Sequence, residues 1–234
     1  AEHYGRAARL DPSFETSEKA GEFFWRTGDY EKALHFCEEL IEFAKVESDP
    51  SQLAAAQNNK AIILQHLARY AEAETLYREA LAMGEKTIGA AHPNDAIRLN
   101  NLAAVVKAQG RYIEAETLYR EALAIDEKTI GTAHPEYANH LNNLALVVQA
   151  QGRYDEAETL FREALAIDEK TIGTGHDGYA IRLGNLARVL SQKGDQEAAR
   201  AHLDEAMMII KNALPEDHPY IIETQRRLDA LPSE

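Results

Sequence analysis

The chain has 234 residues and a net charge of −14, with 45% hydrophobic and 27% charged residues, which is typical of a folded soluble protein. The sequence has no run of about 18 apolar residues, the length that spans a membrane. The acidic net charge disfavours a nucleic-acid surface, which needs clustered Lys and Arg. Cys37 is the only cysteine, so an intramolecular disulfide and a cysteine-rich zinc site are excluded. We therefore expect a reducing, cytoplasmic location.

The first 49 residues predict one partial and one short helical repeat. Residues 1–12 carry apolar residues on one stripe and end at Asp-Pro, which predicts a second helix without its first and suggests a fragment of something longer. Residues 13–49 predict a shorter helix hairpin. Its Trp25, beside Phe23 and Phe24, is expected in the core of this hairpin, with an exposed docking patch as the alternative.

From residue 50 onward the sequence repeats with a period of 42. Residues 93–134 and 135–176 are identical at 33 of 42 positions. A histidine recurs at the same spacing, at His92, His134, His176 and His218. The period predicts full repeats at 50–91, 92–133, 134–175 and 176–217, followed by a capping helix at 218–234.

Each repeat has the pattern of two helices. Pro93 suits the first turn of a helix, and apolar residues recur at three- and four-residue steps from Leu99. Gly110 is the residue expected just past a helix end, and a second amphipathic helix starts near Tyr112. A single hairpin cannot bury its own stripe, so neighbours must stack. The prediction is an all-α, right-handed superhelical solenoid of antiparallel helix hairpins.

The first helix of each repeat carries the pattern Leu-Asn-Asn-Leu-Ala. It is complete at 99–103 and 141–145, and partial at 57–61 and 183–187, where Lys60 and Gly184 depart from it. Together with the Gly, Tyr and Ala that follow, it resembles the 42-residue tetratricopeptide repeats (TPR) of kinesin light chain-like and nephrocystin-like proteins. The resemblance implies protein or peptide binding along a concave groove, with first-helix Asn side chains touching the bound backbone.

Charge separates the two helices of each repeat. Four first-helix windows contain no Asp or Glu, at 54–66, 96–108, 138–150 and 180–192, whereas the second-helix windows contain 19, at 70–86, 112–128, 154–170 and 195–211. The first-helix bases are Lys60, Arg98, Lys107, Arg182 and Arg188. Because the first helices should line the inner surface, we expect a neutral to basic groove that steers an acidic or amphipathic segment.

The two most similar repeats differ mainly in the first helix. Of nine differences, four lie there, including Arg98 against His140, Ala104 against Leu146, and Lys107 against Gln149. A constant scaffold with a varied inner face is what we expect of a protein whose repeats bind different segments of a ligand. We therefore add His140 and Leu146 to Arg98, Lys107, Arg182 and Arg188 as candidate partner-binding residues.

The asparagines of the first helices complete this candidate set. They are Asn58, Asn59, Asn100, Asn101, Asn142, Asn143 and Asn185. Asn is a mediocre helix former, because its side chain competes for backbone hydrogen bonds. One interpretation is that these amides bond between adjacent hairpins and set the stacking. The other is that one Asn of each pair offers donor and acceptor to a partner's backbone, with the second Asn of each pair preferred.

The periodic histidines do not predict a metal site. Equivalent positions in packed helices stand about 10 Å apart, whereas zinc needs its ligands within about 2.3 Å, so each His is expected to cap a helix instead. Cys37 lies on an apolar stripe and is expected to be buried and inert. No phosphate loop or nucleophile elbow is present. We expect no enzyme and no cofactor.

Two functions remain open from the sequence. The first is a scaffold, expected to be a monomer, that binds an extended acidic or amphipathic segment of a partner. The second is a structural or sensing segment of a larger signalling protein, or a self-assembly module.

Overall fold

The computed structural model describes residues 14–87 and 92–232, so the partial repeat predicted at residues 1–12 lies outside the described part. The described residues form eleven helices and no strand, which confirms the all-α prediction. In chain order, the first five helices are α1 (Phe14–Arg26), α2 (Tyr30–Val46), α3 (Pro50–His66), α4 (Tyr70–Thr87) and α5 (Pro93–Ala108). The others are α6 (Tyr112–Thr129), α7 (Pro135–Ala150), α8 (Tyr154–Thr171), α9 (Asp177–Lys193), α10 (Gln196–Ala213) and α11 (Pro219–Ala230).

The helices belong to two compact units, residues 1–125 and 126–234, whose boundary falls within α6. In the first unit α1 packs on α2, α2 on α3, α3 on α4 and α4 on α5. In the second unit α7 packs on α8, α8 on α9, α9 on α10 and α10 on α11. Within each unit these helices thus contact their neighbours in sequence, as the stacking of hairpins predicts.

Small residues lie where helices approach closely. Ala103, Ala115 and Ala122 are fully buried, and Tyr119 fills the space beside them. In the second unit Phe161 takes the position of Tyr119 and is equally buried. The cores therefore follow the large-and-small alternation of the repeat pattern.

The four periodic histidines cap first helices. In each case Nδ1 accepts a hydrogen bond of 3.0–3.2 Å from the backbone N–H two residues further on. They are His92 before α5, His134 before α7, His176 before α9 and His218 before α11. The side-chain cap satisfies one of the orphan N–H groups of a helix start, so the capping prediction is confirmed.

Helix α11 explains one departure from the repeat pattern. The Tyr220 hydroxyl donates to the Ala180 carbonyl at 3.1 Å. A Cβ added to Gly184 would lie 3.0 Å from the same hydroxyl oxygen. Gly184 therefore replaces the usual Asn because Tyr220 of α11 occupies that space on α9.

The turn between the helices of a hairpin needs a left-handed residue. Gly110, Gly152 and Gly194 fill it with φ of +81°, +80° and +91°, whereas Ala68 adopts +57° at the same repeat position. A Cβ is unfavourable there. We expect Ala68→Gly to raise the free energy of unfolding by about 1 kcal/mol, measured by urea denaturation.

The matched control for this change is Ala124→Gly, at an exposed site inside α6. It removes a good helix former and should cost about 1 kcal/mol. If both substitutions lowered the free energy of unfolding by the same amount, the backbone at Ala68 would not be strained.

Candidate partner-binding surface

The first helices of successive hairpins lie side by side within each unit. In the first unit α5 contacts α3, and in the second unit α9 contacts α7. The exposed faces of α1, α3 and α5 are called the first-helix surface of the first unit, and those of α7 and α9 the first-helix surface of the second unit. These surfaces are where the sequence placed the candidate binding residues.

A cavity of about 200 Å³ opens between α3 and α5. Its lining residues are Ala55, Asn58, Asn59, Asn94, Ile97 and Arg98. Three of these are predicted site residues, so the structure brings Asn58, Asn59 and Arg98 together around one opening. Asn59 is exposed there, and Ile97 shows 40% of its surface. The opening thus offers an amide beside an apolar side chain.

The asparagines divide into two roles. Asn142 is held at both ends of its amide, since it accepts from Asn185 Nδ2 at 3.0 Å and donates to Asn143 Oδ1 at 3.4 Å. The contact from Asn185 joins α9 to α7, so here the amides bond between adjacent hairpins. In the first unit Asn100 donates to Asn101 Oδ1 at 3.4 Å. Asn59 differs from these half-buried residues because its side chain is exposed.

Three of the predicted site residues, Arg98, His140 and Arg182, are buried beside carboxylates instead of lying on the surface. Arg98 Nη1 donates to Asp95 Oδ1 at 2.9 Å, within α5. His140 Nδ1 lies 2.6 Å from Asp126 Oδ2. All six members of these pairs, including Arg182 with Asp168, expose no more than 6% of their surface. The side chains of Arg98, His140 and Arg182 are therefore bonded to carboxylates in the interior of the protein.

Burial controls the ionisation of these carboxylates. It raises the pKa of Asp126 above its ordinary value, while the nearby His140 acts in the opposite direction. Burial likewise raises the pKa of Asp168, against the charge of Arg182. The pKa of Arg182 is lowered by its own burial, although Asp168 opposes this. For Asp126, Asp168 and Arg182, burial thus opposes the charged form, and the partner favours it.

The other predicted basic residues lie nearer the surface. Lys60 Nζ contacts Glu38 Oε1 at 2.8 Å, and Lys107 is half-buried. Arg188 is exposed and donates to the neutral Gln149 Oε1 at 2.7 Å. Burial of part of this guanidinium and the positive charge of Arg227 lower its pKa. Among the described residues, Arg188 thus contacts a neutral amide, whereas Lys60, Arg98 and Arg182 each contact a carboxylate.

Two apolar features of the first-helix surface complete the geometry. Leu146, a predicted site residue, is half-buried on α7. Trp25 is half-buried on α1, whereas Phe24 beside it is buried and stacks on Phe36 with ring centroids 5.6 Å apart. The core prediction therefore holds for Phe24, while Trp25 keeps part of its ring at the surface. This partial exposure lies between the two interpretations that the sequence offered for Trp25, the core and an exposed docking patch.

Cys37 is buried, with 4% of its surface exposed, as its position on an apolar stripe predicted. Burial raises the pKa of its thiol to about 12. Since the thiolate is the reactive form, we expect the native protein to react with Ellman's reagent at pH 8 far more slowly than the same protein in denaturant. A native rate equal to that of the denatured chain would contradict this burial.

Within residues 14–87 and 92–232, no helix is both long and apolar enough to cross a membrane. The same described residues contain no group of three or more His, Cys, Asp or Glu side chains placed to hold a metal ion.

Stacked helix hairpins with an Asn-bearing first-helix surface define an all-α helical repeat protein. Profiles described as tetratricopeptide repeat match residues 52–128 and 136–212, and residues 100–170. The chain belongs to the tetratricopeptide repeat family. No curated protein sequence gives a significant match.

Solved structures place the chain with kinesin light chain-like TPR proteins. BtubC (BKLC) from P. vanneervenii is 25% identical with a TM-score of 0.76, covering 93% of this chain and 89% of that one. A Podosopora anserina protein of kinesin light chain type, with nearly identical TPR-like repeats, is 29% identical with a TM-score of 0.65, covering 76% and 84%. MamA from Desulfovibrio magneticus RS-1 is 18% identical with a TM-score of 0.60, covering 86% and 97%, and shows the fold alone.

Proposed function

We propose that the chain is a protein-interaction scaffold that binds an extended segment of a partner on the first-helix surface, without catalysing a reaction. The observation that carries the proposal is the cavity between α3 and α5, where Asn58 and Asn59 lie beside Ile97. An exposed amide offers both a donor and an acceptor to a peptide backbone. The neighbouring apolar side chain supplies contact area for a partner side chain.

The acidic character of the partner is the finer part of the proposal. It rests mainly on Arg188, which contacts a neutral amide, since Arg98 and Arg182 are paired with carboxylates inside the protein. The carboxylates concentrate on second helices, which leaves the first-helix surface the less negative face. Such a difference steers an acidic ligand and weakens with salt. A cytoplasmic location belongs to the same proposal, supported by the free thiol of Cys37.

The test is a peptide-display selection on the intact protein, followed by calorimetric titration of the selected peptides. We expect Asn59→Ala to weaken binding at least tenfold while leaving the unfolding midpoint unchanged. Arg188→Gln should weaken the binding of acidic peptides and reduce its dependence on salt.

Asn142→Ala is the matched control, because both ends of this amide are bonded within the stack. It should lower the unfolding midpoint. If Asn59→Ala leaves the affinity of every selected peptide unchanged, the proposed binding surface is wrong.

A further inference from the structure

A second and larger cavity of about 490 Å³ lies between α1 and α3 of the first unit. It is called the Trp25 cavity below. Leu40 and Ile63, both buried, and the half-buried Ile62 and Trp25 give it apolar walls. Its volume falls in the range of sites that bind small molecules or single large side chains. The sequence and the proposed function leave this cavity unassigned.

The position of Trp25 is fixed by an aromatic cluster behind it. Its ring centroid lies 4.5 Å from that of His66 in an edge-on arrangement, and 5.5 Å from that of Tyr30. Contacts with these two rings restrict the indole. A wall that is already ordered loses little conformational freedom when a ligand binds.

The rim of the Trp25 cavity is negative. Glu18 and Glu22, one helical turn apart on α1, border it with Lys19, so these three groups sum to −1. Glu22 lies 3.7 Å from Arg26, but their side chains are 65% and 76% exposed. An ion pair this open to water holds its partners weakly. A cation carried by a ligand can therefore approach both carboxylates beside an apolar floor.

Asn59 connects the two cavities, because it lines the Trp25 cavity as well as the smaller one between α3 and α5. A segment whose backbone bonds to Asn59 would thus place one side chain directly over Trp25. The apolar walls select a large side chain, and the rim selects a neighbouring positive charge.

We infer that the Trp25 cavity anchors one large aliphatic or aromatic side chain of a bound protein segment that carries Lys or Arg at the adjacent position. This inference rests on the proposed function and adds a local preference to it. The basic neighbour is specific to this cavity, whereas the acidic preference proposed above belongs to Arg188 on α9. The occupant of the Trp25 cavity is thus a segment of a partner protein, anchored by an apolar side chain beside a positive charge.

Trp25 is the only tryptophan of the chain, so its fluorescence reports on this cavity alone. The probes are four octapeptides in a Gly-Ser frame, with Leu-Lys, Leu-Glu, Ala-Lys or Ala-Glu at the centre, titrated into the intact protein. We expect Leu-Lys to bind at least tenfold more tightly than each of the other three and to shift the Trp25 emission to shorter wavelength, since its side chain displaces water from the indole.

Charge reversal provides the control. In E18K/E22K the preferred probe should change from Leu-Lys to Leu-Glu, whereas E121K/E163K, with the same change in net charge at exposed second-helix sites, should keep the preference for Leu-Lys. Ile62→Ala should weaken Leu-Lys without altering the charge preference.

Two results would overturn the inference. One is an emission of Trp25 that no probe shifts, and the other is a charge preference that E18K/E22K leaves unchanged. Failure here remains distinct from failure of the proposed function, because display-selected peptides would still bind in an Asn59-dependent manner. If those peptides also lost their dependence on Asn59, the proposed binding surface would fail as well.

Discussion

Replacing Gly84 by Asp should destabilise the first unit by about 3 to 5 kcal/mol, because it forces a second carboxylate against one buried pair. Gly84 lies within α4, where a glycine normally costs about 1 kcal/mol. An added Cβ would lie 2.6 Å from Asp95 Oδ1 and 3.0 Å from Arg98 Nη1. The midpoint of urea denaturation at pH 7 measures the loss.

Comparison with the other repeats suggests a second substitution that restores the stability lost in Gly84→Asp. Residues 126 and 168, at the repeat position of Gly84, are Asp, and there the position of Asp95 is filled by Tyr137 and Tyr179. In the other two repeats the acid that pairs with the buried base lies on the preceding second helix, whereas in this repeat it is Asp95, on α5 itself. Combining Gly84→Asp with Asp95→Tyr recreates the pattern of the other repeats and should recover most of the lost stability.

The single change Asp95→Tyr is the control, because it leaves Arg98 buried without its carboxylate and should also destabilise. The two single substitutions must therefore couple strongly in a double-mutant cycle. If the destabilisation of the double variant equals the sum of the two single destabilisations, the carboxylate introduced at position 84 does not replace Asp95 as the partner of Arg98.

Replacing Arg182 by Met should cost about 3 to 5 kcal/mol at pH 7, because Asp168, 0% exposed, would lose the cation that offsets the burial of its carboxylate. Burial already raises the pKa of Asp168, and Arg182 opposes this rise. Without Arg182 the pKa should rise further. The free energy of unfolding, from urea denaturation at several pH values, measures the effect.

The pH dependence has a definite sign. A carboxyl whose pKa is raised on folding stabilises the native state below its unfolded value, about 3.9, and this contribution is lost as pH rises through the folded value. The deficit of Arg182→Met should therefore be largest at pH 7 and shrink as the solution is acidified. A deficit that grows towards low pH would contradict the account.

A double variant separates charge from packing. Ile210 and Thr224 occupy the repeat positions of Asp168 and Arg182, and both are buried. Combining Asp168→Ile with Arg182→Thr copies this neutral pair and should recover much of the stability. Buried ion pairs are often replaced by apolar residues at little cost.

Most of the fold could be predicted from the 42-residue period of the sequence. This period predicted the helix hairpins, the buried alanines and the His caps, because these depend on local spacing that every repeat shares. Spacing also placed Arg98, His140 and Arg182 on the first helices, but it could not give their depth. Their partners lie outside the acid-free windows, with Asp95 one residue before a window and Asp126 on a second helix.

The asparagines show a similar limit. The sequence placed equivalent residues 42 apart, yet the observed contact joins Asn185 to Asn142, 43 apart. The second Asn of one repeat meets the first Asn of the previous repeat, because neighbouring first helices are offset along their axes. Periodicity alone does not contain this offset, so the bonded and the exposed amides could be told apart only in the structure.

Nuclear magnetic resonance mapping of a display-selected peptide tests the central claim most directly. We predict that titration of the peptide shifts the side-chain amide signals of Asn59 and the backbone signals of Ile97, on the first-helix surface. Signals of Ile113 and Met208, which are exposed on second helices, should stay in place. Shifts confined to Ile113, Met208 and their neighbours, with Asn59 unchanged, would contradict the proposed binding surface.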